Sequence, residues 1–528
     1  MRRTLIAIAL TVAAVAPTGA HAAFTACDWR MFGHDLGHSF AEDPSCAKIS
    51  RLNASSLHAK WFMPLMNPVT APPTVVDGVV YVGDAAGTFY ALPTDPAPGP
   101  VSPLWTFDVT DTNTNSYGAI VDGAAVDDID GTRVVVFAGG STIYMLDANK
   151  NLPTDQPREL AEACADARPI GAQRCKGSQN VIEVESSPAI VHRPNGDTLV
   201  IVGMDFNEDP TVGRAGLLAF RVHTNPWSLE PVWKFDPETN LSYTTDATKD
   251  GQSGYVYTTD PLTYGAGQGH GCGNVWSSPA IAGDLAVFGV GNCGHTIPSS
   301  EIGQEGTVAV NVDTGGLAWR FAPRPNNGLD LDFGASPQLL QTGLVGEGGK
   351  DGTYYGFDPA RTGTFSTATW SSHVATASDI GGMIGSSALG AVNGAPAIFA
   401  TSAIPFSQAD PGGSFQEDLS SPNHMFALHA ISATDGHLLW DAPNPLPTYA
   451  AATYSNGIVF LADTVGFQVQ AYDADTGALL WAHPLNGAPS SAPAIVGDSI
   501  YMGTGTAADG VPGNAAGIWA FQAVVPPV

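Results

Sequence analysis

Charge is what this chain has least of. Only 13% of its 528 residues are Asp, Glu, Lys or Arg, and the Lys/Glu/Leu mixture that builds long surface helices is missing, which disfavours a helical fold. Long apolar runs are scarce as well. Beyond an N-terminal leader no stretch reaches eighteen uninterrupted apolar residues, so no membrane-spanning helix is expected in the mature chain. Basic residues number 21 against 50 acidic ones, a net charge of −29. A surface of that sign repels nucleic acid and anionic lipid, and no nucleic-acid partner is expected. No C-x-x-C-H occurs, which excludes an attached c-type haem, and no G-x-S-x-G, which removes the usual nucleophile signature of a hydrolase.

What the chain does hold is turn chemistry and repetition. It has 60 Gly and 40 Pro, and three stretches obey one rule, A-x5-G-x3-W: Ala309 to Trp319, Ala430 to Trp440 and Ala471 to Trp481. β-rich units of about forty to fifty residues, each closed by a tryptophan, are the signature of a radial array of small sheets. About eight units can be traced, near 70–109, 117–152, 184–237, 275–324, 332–370, 380–443, 451–485 and 488–521. Their strand openings recur as Ser187-Pro188, Ser278-Pro279, Ser336-Pro337 and Ala492-Pro493. Hairpins such as V-D-G (76–78) and S-N-G (455–457) sit between alternating apolar runs. The expected fold is all-β, an eight-bladed β-propeller. The last unit lacks an outer strand, and the orphan Trp61 in the 57–65 segment marks the stretch that could supply it from the other end of the chain, leaving no open sheet edge. Two insertions are read, 153–180 and 240–273.

The N-terminus carries Arg2 and Arg3, an apolar run from Leu5 to Ala16 and an A-x-A-like site at Ala20-His21-Ala22. Residues 1–22 therefore read as a signal peptide, followed by a lead-in at 23–56 and a single propeller at 57–528; the protein is expected to be secreted or periplasmic and monomeric. Six cysteines suit an oxidising compartment. Fifteen connectivities are open, and the nearest-neighbour set Cys27–Cys46, Cys164–Cys175 and Cys272–Cys293 is preferred on spacing. His270 and His295 beside the last pair leave a Cys2His2 zinc site as the alternative there.

The repeats, the S-x-P openings and the start Asp28-Trp29-Arg30-Met31-Phe32-Gly33-His34-Asp35 resemble the quinoprotein alcohol dehydrogenases, eight-bladed propellers that hold pyrroloquinoline quinone. That start and the Asp332-Phe333-Gly334-Ala335-Ser336-Pro337 segment look most like the polyvinyl-alcohol dehydrogenase branch. The resemblance implies an alcohol dehydrogenase using pyrroloquinoline quinone and calcium, with an alcohol as substrate and a separate electron acceptor such as a cytochrome. It places Trp276 beneath the quinone, Arg214 and Lys350 beside it, and Glu208 and Asn292 on calcium. Glu301 falls near the position of the family's catalytic aspartate, as base and third metal ligand, and Glu305 lies slightly beyond it. Three features depart from the family: no vicinal Cys-Cys pair exists, the second-blade arginine is absent around Asn115 to Ala119, and Glu185 precedes Ser186 where a neutral hydroxyl would suit a cofactor carboxylate. The other reading that these departures support is a non-catalytic extracellular propeller acting as a binding scaffold.

Overall fold

A computed structural model describes residues 23–110, 117–149, 158–165, 183–205, 215–237, 240–244, 273–292, 305–324, 330–377, 381–403, 427–444, 446–506 and 515–525. These residues form eight sheets that follow one another along the chain, at 74–108, 125–164, 189–244, 280–321, 338–373, 388–443, 453–484 and 494–522, here called blades 1 to 8; each is antiparallel, and Gly363–Phe365 adds a parallel edge strand to blade 4. The first strands of blades 1 and 2, 2 and 3, 4 and 5, 6 and 7, 7 and 8, and 8 and 1 touch one another, so these strands ring a common axis. The eighth blade takes its outer strand from His58–Leu65, which pairs with Ala516–Gln522 and sets Trp61 opposite Ala520. The ring is thus closed by strands from both ends of the propeller, and the expected role of the Trp61 segment holds.

One expectation is corrected. Part of the 153–180 stretch is not an insertion, because Glu159–Cys164 forms the fourth strand of blade 2, paired with Thr142–Asp147. Its alternation, with Ala161 and Ala163 buried, is a half-buried strand pattern that the flanking polar residues obscured. In the other stretch, Leu241–Thr244 adds a fifth strand to blade 3.

The A-x5-G-x3-W rule has a packing cause. The alanine lies opposite the tryptophan across the outer strand pair, as in Ala309↔Trp319, Ala430↔Trp440 and Ala471↔Trp481. The glycine takes positive φ, +67° at Gly315, +76° at Gly436 and +70° at Gly477, which only glycine enters freely. Each glycine also receives the tryptophan of the preceding blade. A Cβ on Gly315 would lie 2.6 Å from Trp233, one on Gly436 2.4 Å from Trp370, and one on Gly477 2.8 Å from Trp440. The indole N–H then donates to the backbone of the next unit, Trp233 to Val312 and Trp440 to Ala474, while Trp481 reaches Leu57 and Trp61 reaches Thr94. The motif is a blade-to-blade dock carried round the ring.

The S-x-P openings form a second seam nearer the axis. The Ser187 hydroxyl accepts from Gly123 N–H, Ser278 from Ser187, Ser336 from Ser278 and Ser386 from Ser336, all at 2.8–3.0 Å. The hairpins follow their residues: Asp77 and Gly78, like Asn456 and Gly457, both have positive φ, the type I′ geometry that matches strand twist.

The lead-in lies across the first strands. Trp29 pairs with Val75; the carbonyls of Arg30, Leu36, Gly37, Ser39 and Phe40 accept from Val126, Ile281, Leu339, Leu389 and Tyr454; and the Glu42 carboxylate accepts from Gly497. One peptide therefore touches blades 1, 2 and 4 to 8. The W-x-x-F-G-H-D start is the core of this plug. Phe32 packs edge-on against His38 and Phe40, and Gly33, at φ +68°, allows the turn because a Cβ would lie 2.8 Å from His38 Cα. Burial pushes the His38 imidazole down to about 4, so it is neutral, with Nδ1 3.0 Å from the Pro337 carbonyl. The Cys27–Cys46 disulfide ties the two ends of the plug together, as expected. Removing it in a Cys27→Ser/Cys46→Ser variant is expected to cost about 3 kcal/mol, the loop-closure value for a loop of this order. Calorimetry of the variant measures this as a lowered Tm.

Candidate functional site

Four connections at one end of blades 4 and 5 meet. From blade 4 come Trp276, just before the first strand Ala280–Ala282; Asn292, just after the second, Leu285–Val290; and Glu305, ahead of the third, Gly306–Asn311. Blade 5 contributes Asp330, Asp332 and Gly334 before its first strand, and Lys350 after its second strand, Val345–Gly348. Strands end here, so their side chains converge without interrupting a ladder.

The centre is an ion cluster. Lys350 Nζ lies 2.5 Å from Asp332 Oδ2 and 3.0 Å from Asp330 Oδ2. The other Asp332 oxygen accepts from the Asn292 backbone N–H at 2.6 Å, and a Cβ on Gly291 would press within 2.7 Å of its carboxyl carbon. The Asp332 side chain is 0% exposed, Lys350 9% and Asp330 30%. Burial raises the Asp332 carboxyl to about 6 against the pull of Lys350, and the two carboxylates hold Lys350 well above the usual amine range despite its own burial.

Glu305 offers an oxygen within 4.8 Å of both aspartates. Burial, then the Asp332 charge, raises its carboxyl to about 8, with Arg324 3.7 Å away pulling the other way. Arg324 is itself held by Asp351 and the Leu331 carbonyl. Because Glu305 binds its proton more tightly folded than unfolded, its contribution to stability is complete below about 4.5 and is lost as pH rises through about 8. Urea unfolding at pH 5 and pH 8.5 is expected to show stability falling over that window, with a shallower fall in Glu305→Gln.

Trp276 forms the wall beside this cluster. Its indole rests on Gly334, where a Cβ would sit 1.5 Å from the ring, and Lys350 Nζ is 5.8 Å from the ring centroid. Any side chain at 334 would displace the indole.

A family model described as outer membrane protein assembly factor BamB matches residues 426–519. No curated protein sequence matches the chain significantly. Among solved structures, the quinohemoprotein alcohol dehydrogenase of Comamonas testosteroni shares 15% identity over 95% of this chain and 82% of its own, with a TM-score of 0.64. A europium-containing methanol dehydrogenase shares 14% over 94% and 98%, with a TM-score of 0.66. The chain shares the β-propeller fold of these two structures over nearly its whole length.

Trp276, Asn292 and Lys350 stand at this one group of connections, Asn292 through its backbone N–H. Glu208, Arg214 and Glu301 lie outside the described residues, as do Cys175, Cys272 and Cys293; Cys164 is disulfide-bonded. Asp330 was not singled out, and Asp332 was quoted only as part of a resemblance. The available signal was the D-x-D spacing ahead of Phe333-Gly334, which puts two carboxylates on one side of an extended segment.

The concern over Glu185 also has a structural answer. Glu185 and Trp276 hold the same place before Ser-Ser-Pro in blades 3 and 4. Glu185 clusters with Glu183 and Asp205, their oxygens within 4.8 Å of one another, and burial plus those neighbours push its carboxyl well above the usual range. In blade 6, Ser402 Oγ lies 2.6 Å from His429 Nε2, and His429 Nδ1 2.6 Å from Asp441. This is the order of a nucleophile relay, but Ser402 and His429 are each 1% exposed, and the chain serves to pin three adjacent strands.

Proposed function

We propose that the protein is an exported quinoprotein-type oxidoreductase that removes hydride from an alcohol, with pyrroloquinoline quinone stacked on Trp276 and calcium held by Asn292 and Glu208. The observation that carries this reading is the half-buried indole seated on Gly334 with the Lys350 ammonium 5.8 Å from the ring centroid. A flat wall beside a buried cation suits a planar, polyanionic ring system. Bound there, the quinone supplies the two-electron acceptor. Lys350 already bridges Asp330 and Asp332, so calcium falls to Asn292 and Glu208, oxygen donors of the kind it requires.

The chain's own residues divide the remaining work. Asp332 is too buried to touch a substrate; it anchors Lys350 and the Asn292 backbone. Asp330 is reachable, and it is the group the geometry favours as base for the alcohol proton, ahead of Glu301, whose place rests on resemblance alone. Lys350 holds Asp330 in position. The likeness of the N-terminal start to the polyvinyl-alcohol branch supports a polymeric or secondary alcohol as substrate, and electrons would pass to a separate acceptor such as a cytochrome, since the chain has no haem motif.

Purified protein reconstituted with pyrroloquinoline quinone and calcium is expected to gain cofactor absorbance and alcohol-dependent dye reduction. Asp330→Asn should keep cofactor binding and lose about 10²–10⁴ in kcat, the usual contribution of a general base. Absence of binding at micromolar quinone would overturn the enzyme reading. The second reading, a binding scaffold without cofactor, is favoured by the BamB-described match over 426–519, and it gains from that same negative result.

A further inference from the structure

Blades 6, 7 and 8 meet at a second group of connections, remote in the chain from the Trp276 cluster, and each connection contributes one buried oxygen with no hydrogen-bond partner. These atoms are Asn444 Oδ1, Asp463 Oδ2 and Ser490 Oγ. Asn444 is 1% exposed and Asp463 0%.

The three segments are laced together. The Asn444 amide donates to the Leu446 carbonyl and to Thr448 Oγ1, which turns its oxygen away from both. Tyr449 N–H donates to Thr464 Oγ1 at 3.1 Å, and Thr464 Oγ1 donates to the Pro489 carbonyl at 3.0 Å, next to Ser490. Asp463 uses Oδ1 to accept from Gly466 N–H at 2.9 Å, which leaves Oδ2 uncommitted, and the Asn444 amide lies against its carboxyl.

We propose that Asp463, Asn444 and Ser490 form a binding site for a small hard cation of the calcium class, separate from the quinone site and serving to lock the junction of the last three blades. One carboxylate, one amide oxygen and one hydroxyl are the donors such an ion takes, and nearby carbonyls and water complete its shell. The alternatives meet only part of the need. A buried water would satisfy the hydrogen bonds but leave the Asp463 charge unpaired. A proton would neutralise the carboxyl, which burial raises to about 7, but its single O–H can donate to only one of the two remaining oxygens. A cation satisfies all three atoms and the charge.

The site does not depend on the quinone reading. The full chain is stripped with chelator and dialysed against millimolar calcium; bound calcium is counted by elemental analysis, and Tm is followed with and without the ion. Asp463→Asn is expected to bind one calcium fewer per chain than the unaltered protein and to lose a calcium-dependent rise in Tm of about 2–5 °C. Asn292→Ala is expected to keep that rise. Asn444→Asp, which adds a second carboxylate, is expected to tighten calcium about tenfold. An unchanged calcium count in Asp463→Asn, or a rise in Tm that vanishes in Asn292→Ala alone, overturns this proposal and leaves the quinone site standing. Failure of quinone binding with the Asp463-dependent calcium intact does the reverse.

Discussion

Lys350→Met is expected to lower stability by about 3–5 kcal/mol at pH 8, the loss typical when one partner of a buried ion pair is removed. The reason is asymmetric burial. Asp332 has a side chain 0% exposed, and Lys350 is the cation it touches at 2.5 Å; without it the carboxylate must remain charged in a dry site or take up a proton. Asp332 already sits at about 6 with Lys350 present, so in the variant it rises further above its unfolded value. A group raised on folding loses its contribution as pH climbs through the folded pKa, so the penalty should be smaller at pH 5 than at pH 8. Denaturant unfolding at the two pH values checks the sign. Lys350→Met/Asp332→Asn should recover most of the stability, because removing both charges leaves neither one orphaned. An equal penalty at both pH values would mean that packing, and not charge, is what Lys350 supplies.

Trp276→Ala is expected to weaken quinone binding about 10²–10³-fold while leaving the fold intact. One indole face covers roughly 100 Å² of a flat ligand; at about 25 cal/mol per Å², with about 0.5–1.5 kcal/mol more for ring stacking, the loss is about 3–4 kcal/mol. The global cost is small because Trp276 is only half-buried and belongs to none of the blade-to-blade docks. Titration of quinone by fluorescence or absorbance measures the change. Gly334→Val should approach the same result from the other side, since its Cβ would overlap the indole at 1.5 Å. If Trp276→Ala bound quinone as tightly as the unaltered protein, the stacking role would be lost.

The parts of the fold that could be read in advance are those whose cause is local or repeated. Gly315, Gly436 and Gly477 recur because each must take positive φ and admit an indole; Ser187, Ser278 and Ser336 recur because each caps its neighbour's backbone. A constraint imposed once per blade leaves a periodic trace. The fourth strand of blade 2 left none, since Glu159–Cys164 lacks the glycine and tryptophan of its counterparts.

The W-x-x-F-G-H-D start shows the opposite case. It pointed to a family, but its physical work is to plug the ring, through carbonyls whose partners range from Val75 to Tyr454. A run of backbone acceptors has no side-chain signature.

By itself the sequence determined the propeller, its number of blades, its closure by the Trp61 strand and the presence of Trp276, Asn292 and Lys350 at strand ends. Tertiary structure alone decided what surrounds them: that Lys350 pairs with Asp332, that Asp330 is the more exposed of the two aspartates, and that burial beside Glu183 and Asp205 favours the protonated form of Glu185. Repeats encode contacts that every blade must make, whereas a charge cluster depends on burial and on distances between segments up to about sixty residues apart in the chain, and these exist only once the ring has closed.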